Sequence, residues 1–388
     1  MTSVDLVAAV PYTDPWSLDL PQRLRMLARG ETCVAYFCET QGKGTFRYRV
    51  YNMAQVLNST GGAVSASYFF LDDMHGLTEI ADTADLLVIC RTRYDHRVSH
   101  LIGAFRRRGK RVLFDVDDLV FNTDYAHLLE RTLDLDLRRQ EVWNDWFAYL
   151  SRLGKTLRLC DGVITTNAYL AERIREHVPL PVAIVPNFMN REQLEISEPI
   201  FAAKQSLKIG GDGLIRLGYF SGSQSHNRDL AIVTPALETL LDEDPRLGLV
   251  VAGTVEIGAA LKRFGARVEE HPMQDFINLQ RLIGAVEFNL VPLQYNAFTN
   301  CKSELKYFEA AIVGTQTIAS PTYTYARAIR HGDNGYLAQA HQWASCIRRA
   351  VADLGDYQAM AERSHEDALS KYAWFKQRAC ILAALGLE

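Results

Sequence analysis

The sequence predicts an α/β protein of two Rossmann-like, doubly wound domains facing each other across a cleft. Three observations predict it. Short apolar runs alternate with helix-compatible stretches from one end of the chain to the other, the pattern of parallel βαβ construction. The pattern is interrupted once by a polar, glycine-containing segment and then restarts. The length of 388 residues exceeds what one hydrophobic core normally organises.

Taken in order, the first set of expected strands is CVAYFC (33–38), AVSASYFF (63–70), DLLVIC (85–90), RVLFDV (111–116), GVITT (162–166) and VAIVP (182–186). NREQLEISEP and a segment ending in KIGGDG follow, and the halves are expected to join near residues 187–212. The second set is IRLGYF (215–220), LGLVVAG (247–253), VEFNLVP (286–292) and TQTIAS (315–320). NDWFAYLSRLGKTLRLC (144–160) reads as an amphipathic helix with Trp146, Leu150, Leu153 and Leu157 on one side. The expected division is 1–187 and 188–369, with a terminal helix at 370–388 packing back on the first domain.

The composition is that of a globular protein, 48% hydrophobic and 23% charged. A net charge of −4 supplies no electrostatic reason for a nucleic-acid partner. No apolar run reaches the roughly 18 residues of a membrane span, and the opening MTSVDLVAAVPYTDPW lacks the basic start of a signal peptide. The seven cysteines form no CxxC pair and several sit in apolar runs, which suggests reduced thiols and a cytoplasmic protein. LPQRLRMLARG (20–30) has leucines and arginines at helical spacing. It fits a helix on its own domain, or weak association with an acidic membrane surface at the inner face.

Open α/β sheets bind ligands beyond the carboxyl ends of their strands, so the residues after each strand are the candidates. In TQGKGTFRYRVYN (40–52), Gly42 and Gly44 allow close backbone approach before a helix N-terminus, which favours an anion. Arg47 and Arg49 add charge, and Arg91 follows the third strand. In YFSGSQSHNRDL (219–230), Ser221, Gly222 and Ser223 precede His226 and Arg228, a combination suited to phosphate. LQYNAFTNCKSELKYFEAAIVG (293–314) carries Lys302, Lys306 and Glu309. Lys302 and Lys306 are expected on one helical face, where two cations oppose the helix dipole unless a phosphate is bound. Glu309 suits a ribose diol.

These stretches, together with FRYRVYN, LFDVDDLVF, CDGVITTNAYLAERI and IRHGDNGYLA, resemble the retaining glycosyltransferases of family 4, whose architecture is called GT-B. The resemblance spans roughly residues 32–375. It implies a nucleotide-diphosphate-sugar donor held mainly by the second domain, a carbohydrate or small-molecule acceptor on the first, hexosyl or deoxyhexosyl transfer in carbohydrate biosynthesis, and no metal or other cofactor. The family's Glu-x7-Glu hallmark places its second Glu on Glu309, for the ribose hydroxyls. Its first falls on Cys301, so the sugar contact of that carboxylate is missing or supplied by Asn300. The amides of Ser303, Glu304 and Leu305 fall where the family's backbone touches sugar and phosphate. The phosphate pair becomes Ser223 and, roughly, Arg228.

The aspartates of LFDVDD remain to be assigned. A haloacid-dehalogenase-type phosphatase would use Asp115 as nucleophile and Asp117 as acid/base. A GT-A glycosyltransferase would bind a divalent cation with Asp115 and Asp117. The family resemblance puts Asp117 near the anomeric carbon and acceptor, with Asp118 as its support and Asp115 structural. A non-catalytic nucleotide-sugar-binding protein on the same scaffold is a further alternative.

Overall fold

The computed structural model describes residues 9–41, 44–133, 136, 138–222 and 227–387, the side chains of 129–131 excepted. It contains two six-stranded parallel sheets. The first comprises β1 (Thr32–Cys38), β2 (Val64–Phe70), β3 (Leu86–Cys90), β4 (Arg111–Val116), β5 (Gly162–Thr165) and β6 (Val182–Ile184), in spatial order β2-β1-β3-β4-β5-β6. The second comprises β7 (Ile215–Ser221), β8 (Leu247–Gly253), β9 (Val268–His271), β10 (Phe288–Val291), β11 (Gln316–Ala319) and β12 (Tyr336–Leu337), in order β12-β11-β10-β7-β8-β9. Strand order reverses between β1 and β3 in one sheet and between β7 and β10 in the other. A ligand crevice is expected at those switch points.

Both sheets are covered on both faces, which is why their strands read as apolar runs rather than as alternating ones. Along β1, Cys33, Ala35 and Phe37 join one core cluster while Val34, Tyr36 and Cys38 join the other, the period of two of a pleated strand. The two strands the sequence did not announce are edges: β9 reads VEEH and β12 has two residues.

The polar stretch after β6 is a helix, Arg191–Ser206, where the sequence reading placed only a joining segment. Asn190 caps it, with Oδ1 accepting from the Gln193 amide at 2.8 Å. Its start bonds the first half, where Tyr51 donates to Glu192 at 2.7 Å. Its end lies under the second, where Lys204 donates to Thr315 Oγ1 at 2.6 Å. At the C-terminus, helix Arg378–Leu385 buries Ile381 and Leu385 in the same cluster as Val34 and Leu113 of the first sheet.

The halves interlock. Phe276 of the second half packs in a first-half cluster, Tyr48 of the first half packs in a second-half cluster, and Phe298 and Cys301 reach the core beneath β4. An N-terminal arm without regular structure crosses between them. The backbone of Val10 exchanges two 3.0 Å hydrogen bonds with the Asn278 side chain. Trp16 stacks on Phe276 at 5.8 Å, and Tyr12 meets the same ring edge-on at 5.5 Å.

Candidate active site

The ends of both sheets open into one interdomain cavity of about 1140 Å³, room for a ligand larger than an ordinary drug-sized molecule. From the first half, its wall includes Gly44, Thr45, Arg47, Tyr48, Arg91, Asp117 and Asp118. From the second it includes Ser221, Gly222, Lys302, Ser303, Leu305, Lys306 and Glu309. Most residues singled out in the sequence therefore meet at one place, although β4 and the loop before Leu305 are nearly 190 positions apart in the chain.

The first half contributes a charge cluster. Arg91 donates to Asp117 at 3.0 Å and to Asp118 at 2.9 Å, and its Nε reaches the Tyr149 hydroxyl at 3.2 Å. Its backbone has φ of +40°, an uncommon conformation for a residue with a side chain that is held only where the surroundings enforce it. Thr45 Oγ1 donates to the second oxygen of Asp117 at 2.9 Å. Asp118 also meets Lys302 of the second half at 3.4 Å. Burial alone would raise the Asp118 carboxyl, but Lys302 and Arg91 outweigh it and hold it below the usual carboxylate range.

The second half contributes two lysines, Lys302 and Lys306, and the carboxylates Asp275 and Glu309. Lys306 is half-buried over the Tyr219 ring at 5.3 Å, with no ion pair among the described residues. Burial pushes its ammonium down to about 8, partly countered by Asp229. The amides of Ser303 and Leu305 make no hydrogen bond to protein among the described residues. Glu309 is 4% exposed. Its Oε1 takes Arg47 at 3.0 Å, the Tyr48 hydroxyl and, at 3.4 Å, Gln193, while Oε2 has no partner among the described residues. Nearby, Gly253 has φ of +117°, and a Cβ there would lie 1.7 Å from the Ser221 carbonyl oxygen. Glycine alone lets the ends of β7 and β8 come this close.

Several expectations need correction. Arg49 does not reach the cleft: it is fully buried, paired through two nitrogens with Asp115 at 2.8 and 2.9 Å, and bonded to the Val185 carbonyl at 2.7 Å. The same pair removes Asp115 as a phosphatase nucleophile, since it is fully buried and no substrate can reach it. Lys302 and Lys306 do not share a helix. Lys302 lies in the turn after helix Ala297–Asn300, ahead of helix Leu305–Ala311, and both reach the cavity from separate segments. The Glu304 side chain turns away, accepting from the Tyr372 hydroxyl at 2.7 Å. Arg228 is exposed and outside the cavity wall. Cys301 and Asn300 are also outside it. Cys301 is fully buried against the first half, its carbonyl accepting from Asn167 at 2.7 Å, and Asn300 Oδ1 accepts from the Tyr323 amide at 2.8 Å. Gly42, Ser223 and His226 lie outside the described residues.

Sequence reasoning missed Thr45, Tyr48, Trp146, Tyr149 and the arm residues Tyr12, Asp14 and Trp16, all in the cavity wall. Thr45 and Tyr48 flank arginines that drew the attention. The arm precedes the first strand and carries no periodic signal.

No family model matches the chain, and no curated protein matches it. Solved structures do match, over nearly their whole lengths. HepE from Anabaena, in complex with UDP and glucose, superposes with a TM-score of 0.62 at 13% identity, covering 91% of this chain and 99% of that one. Sucrose-phosphate synthase from Thermosynechococcus elongatus gives 0.59 at 15% identity, covering 90% and 96%. WaaG, a glycosyltransferase involved in lipopolysaccharide biosynthesis, gives 0.56 at 13%, covering 91% and 100%. The chain therefore has the GT-B fold, two Rossmann-like domains facing across a cleft. No helix among the described residues is long and apolar enough to cross a membrane.

Proposed function

We propose that the chain is a retaining glycosyltransferase that moves a sugar from a nucleotide-diphosphate-sugar donor to an acceptor hydroxyl. The observation that carries this reading is the composition of the interdomain cavity. Among the described residues Lys306, without an ion pair, and Glu309, with Oε2 open, face it from the second half, while the Arg91–Asp117–Asp118 cluster faces it from the first.

Each group then has a role. Glu309 Oε2 accepts from the ribose hydroxyls. Lys306, Lys302 and the amides of Ser303 and Leu305 stabilise the diphosphate as negative charge develops on it. Asp117, oriented by Thr45 and Arg91, accepts the proton of the attacking hydroxyl. Asp118 holds Lys302 at the sugar end. Arg91 and Lys302 together balance the charges of Asp117 and Asp118, an arrangement that favours transfer without a divalent cation. Departure of the diphosphate and attack on the same face retain the anomeric configuration without a covalent intermediate. Closure of the two halves keeps water from the donor. The likeness to HepE, solved with UDP-glucose at a TM-score of 0.60, supports a nucleotide-sugar of this class.

Thermal-shift measurements against UDP, GDP, ADP and dTDP test the reading. Stabilisation by at least one diphosphate is expected, unchanged by EDTA; indifference to all four removes the donor assignment. The burial of Cys301, at the position of the family's sugar-binding carboxylate, favours one second reading, a non-catalytic nucleotide-sugar-binding protein. Release of nucleotide from a bound sugar nucleotide, with and without acceptors, separates the two.

A further inference from the structure

We infer that Glu304 and Tyr372 are positioning residues, whose hydrogen bond sets the Lys302–Lys306 segment from the point where the chain crosses between its halves. The inference rests on the transferase reading and deepens it, because it names what holds the diphosphate-gripping groups in place.

Lys302, Ser303, Leu305 and Lys306 line the cavity, and Glu304 between them does not. Its side chain points away and accepts from the Tyr372 hydroxyl at 2.7 Å. Burial raises the Glu304 carboxyl, and the Tyr372 bond opposes that shift. Tyr372 is buried and ends helix Tyr357–Tyr372. Its ring also stacks on Phe308, with centroids 4.7 Å apart. Glu304 and Phe308 are one helical turn apart, so a single tyrosine holds the start of helix Leu305–Ala311 at two points. Packing alone would be served by phenylalanine, whereas the hydroxyl adds a fixed distance and direction.

Tyr372 also belongs to the crossing itself. The chain passes from β6 through Met189 into helix Arg191–Ser206, and from helix Tyr357–Tyr372 through Ala373 to the C-terminal helix on the first half. These two passages are bonded to each other. The Tyr372 carbonyl accepts from the Met189 amide at 2.8 Å, and Met189 pairs with Ala373 as a parallel bridge. Other ties on the segment lead elsewhere: the Lys302 carbonyl takes Thr324 at 2.8 Å and the Cys301 carbonyl takes Asn167 at 2.7 Å. Among the described residues, the Glu304 tie alone reaches the crossing. Movement of the halves about this point is therefore transmitted to Lys302 and Lys306. A diphosphate that fixes those lysines steadies the crossing in return.

The test is calorimetry on the full chain with UDP, GDP, ADP and dTDP, paired with hydrogen exchange at Met189. Tyr372→Phe keeps the ring stack, and Glu304→Ala removes the acceptor. Each should weaken the diphosphate that wild type binds by about five-fold or more. Glu304→Gln, which still accepts from the hydroxyl, should recover the affinity. The double variant, Glu304→Ala with Tyr372→Phe, should bind no more weakly than either single one, since both break one bond. Diphosphate should slow exchange of the Met189 amide in wild type and leave it unchanged in Tyr372→Phe. A merely structural bond would instead lower the melting point of the empty variants at unchanged affinity, and that result overturns the inference. So do additive losses, a loss in Glu304→Gln equal to that in Glu304→Ala, or a wild-type Met189 amide indifferent to diphosphate. A wild type that binds none of the four diphosphates takes the transferase reading down as well.

Discussion

Two buried ion pairs spring from the same turn and differ in almost every respect that matters. Arg49 meets Asp115 through two nitrogens, and its remaining nitrogen is used by Val185 and Asn187, with side-chain exposures of 0% and 1%. All its partners belong to the first half. Arg47, two residues earlier, meets Glu309 of the other half through one contact of 3.0 Å, with exposures of 9% and 6%, and its guanidinium lies 4.7 Å from the Phe276 ring. The first pair is saturated. Among the described residues the second leaves Glu309 Oε2 open, and it spans the cleft. A pair with every lone pair and proton used fixes a framework, whereas a partly used pair keeps capacity for a ligand.

The largest effect that would sharpen this contrast lies in the saturated pair. Arg49→Ala should cost about 3–5 kcal/mol in denaturant unfolding, because it strands a buried carboxylate. Arg49→Met with Asp115→Leu should recover most of that loss. An Arg49→Ala protein of wild-type stability breaks the comparison on this side.

Next in size is Asp117→Asn, for which turnover should drop about 10²–10⁴-fold while the diphosphate still binds; steady-state rates with saturating donor read it. Glu309→Ala should weaken nucleoside diphosphate binding about 10–100-fold, the loss of charged hydrogen bonds, with the fold intact by circular dichroism. Isothermal titration decides this, and unchanged affinity would make Arg47–Glu309 as structural as its neighbour.

The smallest effect is a pH slope. Lys306 in the empty site loses its proton around 8, and a bound diphosphate favours the charged form. Affinity should therefore be full below that value and decline as pH rises from 7 to 9.5. Lys306→Arg, charged throughout, should flatten the slope. An equally steep decline in that variant would assign the titration elsewhere.

The sheets were legible because strands covered on both faces are apolar along their whole length, as RVLFDV and LGLVVAG are. β9 and β12 were not, since an edge strand such as VEEH has solvent on one side and needs no apolar run. Asp117 was legible as a charge directly after a strand, Lys302 as a cation in the segment after another, and Glu309 through the Glu-x7-Glu spacing of the family it resembles. Arg47 and Arg49 were not separable. The chain there runs through a π-helical turn, Arg47–Tyr51, so neither an α nor a β period assigns their faces. Lys302 was misplaced because helix Ala297–Asn300 ends within a run that reads as continuous. Trp146 was read on the same side as Leu150, although the real boundary of the buried face leaves it in the cavity wall.

The N-terminal arm carries a practical lesson for whoever next makes this protein. Trimming to the first regular element would start the chain at Leu20 and would look harmless on any diagram of helices and strands. It would delete Tyr12, Asp14 and Trp16 from the wall and the clasp on Asn278. A shortened preparation that folds yet binds nothing would then be reporting a missing wall, and the chemistry would be blamed for an expression choice.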